Sequence, residues 1–321
     1  MMTDAQSGRT HPVPDSAPSD ITSQTVNALE DLSGVHPGYR RAHAKGFCCR
    51  ASFRSSGLGA AFTTAPHMQE QAETPAIVRF SGVSTNPAMA DLLSPAKGMA
   101  VQFTLPGGDV TYLVGATVPV FFARTPESFL DIMKTVNETR EGERGPIDLI
   151  REIITHFSES KESLLAVKLL KPPASYAACH YYCIHAYLFL DSQGNARPVK
   201  FEWLPEGGVE TLSIKDAAQQ PEDYLMDELR LRLETAAAVF QLDAIFGEAG
   251  DPTDDPTRAW PDDRKRVILG HLYVTDIIEE PEGLLMDPTV MAEGMALSDD
   301  PILHFRHSTY TDSYNRRSAG Q

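Results

Sequence analysis

Met99-Ala100-Val101-Gln102-Phe103-Thr104-Leu105 and Val110-Thr111-Tyr112-Leu113-Val114 flank Pro106-Gly107-Gly108-Asp109. The flanks are rich in apolar, β-branched and aromatic residues that suit a pleated surface, and the four residues between them are turn formers. Glycine supplies the positive-φ conformations that a tight reversal needs. The run therefore predicts an antiparallel hairpin.

Similar short runs lie on both sides. Residues 47–53 and 76–80 read as strands, the second bounded by Pro75 and Gly82. Residues 182–190 and 198–204 read as a second hairpin across Asp191-Ser192-Gln193-Gly194-Asn195, and 240–246 can pair with 266–277 across an Asp- and Pro-rich loop. Helical periodicity falls at 26–32, from Pro126 to Val136, and at 147–157 and 161–170. It also covers 221–240, with Leu225, Leu229, Leu233 and Ala237 on one face, and the C-terminal segment. Strands in hairpin order with interspersed helices predict an α+β fold, an antiparallel β-barrel with surrounding helices, and not a parallel doubly wound sheet. Neither G-x-G-x-x-G nor G-x-x-x-x-G-K-[ST] occurs, so no phosphate-cradling loop is supported.

The chain has 321 residues, 42% of them hydrophobic and 22% charged, with a formal net charge of −16. Such a surface repels phosphate backbones and anionic lipid, so neither is an expected partner. No apolar run approaches the roughly 18 residues of a membrane span. The polar opening residues lack a basic start followed by an apolar stretch, so no secretory signal is expected and the expected location is cytoplasmic. Residues 1–25, dominated by Ser, Thr, Pro, Asp and Gln, are expected to form a disordered tail, and 26–321 a single domain. Cys48, Cys49, Cys179 and Cys183 lack the spacing of zinc or redox motifs and are expected to be reduced thiols on strands.

Chemistry gathers in four segments. Arg40-Arg41-Ala42-His43-Ala44-Lys45-Gly46 places a histidine before a strand; alone, such a residue is usually structural. In Ala76-Ile77-Val78-Arg79-Phe80-Ser81, an arginine inside an apolar strand needs an anion beside it, from a protein carboxylate or a cofactor. Val114-Gly115-Ala116-Thr117-Val118-Pro119-Val120-Phe121-Phe122-Ala123-Arg124, with Phe129 beyond it, clusters rings that are more often core than cofactor contact. In Arg306-His307-Ser308-Thr309-Tyr310-Thr311-Asp312-Ser313-Tyr314-Asn315-Arg316-Arg317, helical spacing puts Arg306 and Tyr310 on one face, continued by Ser313 and Arg317.

In order and wording these segments resemble the catalase superfamily, whose members carry R-x-x-H-A-K-G, V-R-F-S, V-G-x-x-x-P-V-F-F-x-R and R-x-x-x-Y-x-x-[ST]. Gly98-Met99-Ala100-Val101-Gln102-Phe103 is similar to the family's G-F-A-V-K-F strand. The likeness runs from about residue 30 to the end, and the length is similar to that of minimal catalase-related haem peroxidases, without the arms and extra domain of large catalases. The resemblance implies a catalase-type barrel holding haem b, Fe(III) protoporphyrin IX.

It also implies roles. Tyr310 would be the iron ligand, bound as a phenolate with a hydrogen bond from Arg306, and His43 the general acid–base acting on peroxide from the opposite face. Ser81 would fix the tautomer of His43. Arg40, Arg79 and Arg317 would pair with the haem propionates. Ala42, Val83, Phe121 and Phe129 would line the haem face and channel, and Ser313 would join the cofactor contacts.

Catalases place an asparagine where this chain has Ala116, and Tyr314 stands where many large catalases have histidine. Loss of the asparagine donor implies weak catalase activity and stronger peroxidase activity, using H2O2 or organic hydroperoxides and an organic reductant. A monomer or homodimer is expected. NADPH binding has no support in the sequence. The alternatives are an allene oxide synthase-like rearrangement of fatty-acid hydroperoxides, or a haem-binding protein without activity.

Overall fold

The computed structural model describes residues 20–141 and 145–321. Its strands are β1 (Gly46–Ser55), β2 (Glu73–Gly82), β3 (Lys97–Thr104), β4 (Val110–Ala116), β5 (Tyr181–Leu190), β6 (Ala196–Pro205), β7 (Ala238–Phe246), β8 (Arg266–Ile278) and β9 (Met295–Leu297). They pair antiparallel in the order β4-β3-β2-β1-β8-β7-β6-β5-β9, and the pairing of Ala116 with Tyr182 joins β4 to β5 and closes the first eight into a barrel. The hairpin at 99–114 forms as the sequence predicts, with Gly107 and Gly108 at φ 96° and 95° in its turn.

The barrel interior is solid. Phe53, Phe103, Phe201, Trp203 and Phe240 are fully buried, and Phe53 meets Phe103 edge-on at 5.4 Å between ring centroids. Large inward rings on alternating positions fill a barrel of this size, so a cofactor site has to lie at its rim.

The helices are α1 (Asp20–Ser33), α2 (Pro126–Glu141), α3 (Pro146–His156), α4 (Lys161–Leu169), α5 (Ile214–Ala217), α6 (Tyr224–Leu233) and α7 (Pro301–Ser318). Asp300 caps α7, its carboxylate accepting from the backbone N–H groups of Ile302 and Leu303 at 2.8 and 3.2 Å, with Pro301 in the first turn. α1 lies against α7 through Thr22 and Ser308, 3.0 Å apart, and through the Arg316–Glu30 ion pair at 3.1 Å.

Several expectations need correction. The helix expected over 221–240 ends at Leu233; Ala237 is exposed just before β7, and Phe240 points into the barrel from that strand. Pairing of β7 with both β6 and β8 outweighs a helical period that continues past the helix by coincidence. α1 begins at Asp20, inside the segment expected to be disordered, because Thr22 and Thr25 are buried there despite their polarity. The rest of that segment, residues 1–19, lies outside the described residues. β9 is too short to show any period in the sequence. The four cysteines are free and buried, but Cys179 precedes β5 and is not on a strand. Among the described residues no helix is long and apolar enough to cross a membrane.

Candidate active site

Ser81, Gly98 and Ala116 are cross-strand partners on β2, β3 and β4, so they share one face at one barrel rim. His43, just before β1, stands over that row with Nδ1 2.9 Å from the Ser81 hydroxyl. Glycine at 98 makes this possible: a Cβ there would fall 2.9 Å from His43 Nδ1 and 2.8 Å from Ser81 Oγ.

His43 has φ 54°, in the left-handed region that residues with a Cβ rarely occupy. Such a conformation costs about 1–3 kcal/mol and persists where neighbours hold it. Arg79 is the brace, donating to the His43 carbonyl at 3.0 Å and the Ala44 carbonyl at 3.5 Å. Gly46 leaves room for the brace, since a Cβ there would come within 2.7 Å of the Arg79 guanidinium. Burial pushes the His43 imidazole down to about 3, and the charges of Arg79, Arg306 and Arg40 push the same way. The ring is therefore neutral at ordinary pH. The residue as a whole keeps some accessible surface.

α7 supplies the second group. Arg306 donates to the Tyr310 hydroxyl at 3.1 Å, and its guanidinium lies 5.3 Å from the centre of the Phe121 ring. Phe121 stacks on Phe129 at 5.8 Å and 7°. Ser313 accepts from the Arg41 backbone N–H at 3.3 Å, tying α7 to the segment that carries His43.

A third group was only partly foreseen. Arg40, Arg79 and Arg317 converge as expected, but on Glu280, at 2.6, 3.2 and 3.2 Å. Three positive charges face one carboxylate. The cluster therefore has an excess of two. Ala42 and Val83 flank the His43–Ser81 pair in sequence and are partly accessible.

Glu280, His185 and Asp300 are the residues sequence reasoning missed. His185 on β5 is 2% exposed, with Nδ1 2.6 Å from the Asp300 carboxylate. Burial, followed by the Arg306 charge, holds His185 at about 4 against the opposing pull of Asp300, so it is neutral and donates from Nδ1. One carboxylate thus caps α7 and locks the helix to the barrel. A histidine within an apolar strand and an Asp-Pro helix start were the available signals. Glu280 had none beyond belonging to an acidic loop.

An iron porphyrin with two carboxylates asks for an axial donor, an acid–base group and two compensating positive charges. Tyr310, His43 and the arginine cluster match each demand. The buried Arg306 Nε and His185 Nε2 still lack partners, so polar capacity remains near Tyr310. The residues fit haem.

Barrel and site define a haem-binding oxidoreductase that acts on peroxide. The chain belongs to the catalase family: residues 36–321 match the family described as Catalase. It is 34% identical over 303 residues to a catalase-related peroxidase of Mycolicibacterium paratuberculosis, covering 92% of this chain and 94% of that protein. A catalase-related peroxidase of Synechococcus elongatus is 28% identical over 301 residues, covering 92% and 88%. The solved structure of a bacterial catalase superposes with a TM-score of 0.78 at 21% identity, over 98% of this chain and 67% of that one, and shares its fold. Members of the family bind haem, usually of the b type.

Proposed function

We propose that this chain is a peroxidase that cleaves H2O2 or organic hydroperoxides at a haem held by the Tyr310 oxygen, oxidises organic reductants, and has weak catalase activity. The observation that carries this reading is His43 held against Ser81 at the barrel rim, within range of the charge of Arg306, which donates to Tyr310. Bound haem supplies the redox-active ferric iron on which the O–O bond is split. Every proton movement falls to the protein.

In the tautomer that donates Nδ1–H to Ser81, Nε2 of His43 is the base; it takes a proton from peroxide there and returns it to the leaving hydroxide. Arg306 places a charged donor at the Tyr310 oxygen, which would hold the iron, and an anionic oxygen ligand would favour the ferric state. Arg40, Arg79 and Arg317 take the propionates. Ala42, Val83, Phe121 and Phe129 form the apolar wall, with Ser313 among the cofactor contacts. The chain works in the cytoplasm as a monomer or homodimer, which light scattering of the purified protein checks.

The test is an absorption spectrum with a high-spin ferric phenolate band, together with turnover of H2O2 alone and with a phenolic reductant. Colourless protein that refuses haemin overturns the reading.

Two substitutions probe the rim. Ala116 offers no donor on the face that carries Ser81, so Ala116→Asn restores one where peroxide is oriented. We expect the ratio of catalase to peroxidase turnover to rise by up to about 100- to 1000-fold, the scale of one well-placed donor, as read by oxygen evolution against dye oxidation. Gly98→Ala forces the His43 ring off Ser81. Peroxidase turnover should fall by about 100-fold, the scale of losing a positioned acid–base group, while haemin uptake by titration stays intact.

A further inference from the structure

We propose that Glu280 is a positioning residue for the cofactor's carboxylates, gathering Arg40, Arg79 and Arg317 into a preformed cradle whose excess charge of two matches a dicarboxylate porphyrin. The inference rests on the haem reading above, and concerns a side chain in the loop just after β8.

Arg40 NH1 meets both Glu280 oxygens, at 2.7 and 2.6 Å. Arg79 Nε reaches Oε2 at 3.2 Å and Arg317 NH1 reaches Oε1 at 3.2 Å. The three arginines come from three separate parts of the chain: the segment before β1, strand β2 and helix α7. Without an anion among them they repel. Arg79 is pushed down to about 10 by burial and then by the Arg40 charge, and Arg317 is lowered by the same two causes. Glu280 opposes that repulsion in both cases. Its own carboxyl is held below the usual range by the three guanidinium groups, which outweigh its partial burial.

The same loop contributes a second anchor. The Leu284 carbonyl accepts from Arg40 NH2 at 2.8 Å and from Arg317 NH2 at 3.5 Å. Arg40 and Arg317 are thus each gripped at two nitrogens by one short segment, while Arg79 is gripped by Glu280 and by the carbonyls beneath His43. Guanidinium donors still free in each fork can reach an incoming carboxylate. The Glu280 side chain is 32% exposed, which puts the cluster at the solvent edge where the polar rim of a porphyrin would lie. Because Arg79 also braces the His43 backbone, seating the carboxylates and orienting the histidine share one residue.

The decisive comparison is haem release to excess apomyoglobin, followed by the Soret band, in the wild type, Glu280→Gln and the exposed neighbour Glu279→Gln. Glu280→Gln should release haemin about tenfold faster, the usual scale of losing a group that orients a ligand-binding side chain. Glu279→Gln carries the same charge change and should match the wild type. Haemin dimethyl ester, which lacks free carboxylates, should leave the same rates in wild type and Glu280→Gln; a general folding defect would keep them apart. Where Glu280→Gln does not fold, Glu280→Asp keeps the charge with a shorter reach and should release haemin at an intermediate rate. A release rate from the substituted protein equal to or slower than wild type, with wild type binding haemin normally, overturns this inference alone. A wild type that takes up no haemin overturns the haem reading and this inference with it.

Discussion

Tyr310→Phe should give a folded protein that fails to hold haemin as a ferric phenolate complex and loses peroxidase turnover by at least about three orders of magnitude, a loss of the size expected for a positioned catalytic group but here accompanied by loss of the phenolate band. The substitution removes one oxygen and keeps the ring, so the packing of α7 barely changes. Arg306 then loses the acceptor that its NH1 reaches at 3.1 Å, in a region where its Nε already lacks a partner. A buried donor left unsatisfied costs about 1–3 kcal/mol, so the thermal midpoint should fall by a few degrees. Haemin titration separates the two effects, because a stability loss alone leaves the Soret band of the remaining folded protein unchanged. Full haem occupancy with wild-type turnover in this variant would remove Tyr310 as the ligand.

His43→Ala should do the converse: haemin binds with an unaltered phenolate band, while the rate of peroxide cleavage drops by about 10² to 10⁴. The expectation follows from separation of duties, since Tyr310 and the arginines hold the cofactor and His43 handles protons. It carries a pH signature. A histidine held at about 3, well below its usual 6.5, stays in the basic form until the pH falls through that lower value. The wild-type rate of peroxide cleavage should therefore be flat from about pH 5 to 9, with no inflection near the ordinary histidine value. An inflection near 6.5 that disappears in His43→Ala would mean that the ring titrates freely, and the neutral-base account would fail. A normal rate in His43→Ala would end its assigned role.

Much of the site was legible because its parts are local. Arg306 and Tyr310 are four residues apart on a helix, and the hydrogen bond between them follows from that spacing. Arg79 in an apolar strand announced its need for an anion, though the anion in contact with it belongs to the protein. Glu280 was not legible: it lies 240 residues from Arg40 in the chain, in a loop whose acidic residues look alike. His185 and Asp300, 115 residues apart, meet only because β5 and the start of α7 are neighbours in space. The false extension of the helix beyond Leu233 has the same origin, since periodicity within one segment is blind to the two strands that claim its far end.

The amino-acid order by itself determined the hairpins, the α+β class, the strand that carries Arg79 and the helix face shared by Arg306 and Tyr310, because turn chemistry and the two side-chain periods act over a few residues. Only the tertiary structure decided that Ser81, Gly98 and Ala116 stand in one row beneath His43, and that three distant arginines meet on Glu280. Those juxtapositions depend on strand register and on barrel closure through Ala116 and Tyr182, a long-range condition that no local pattern encodes.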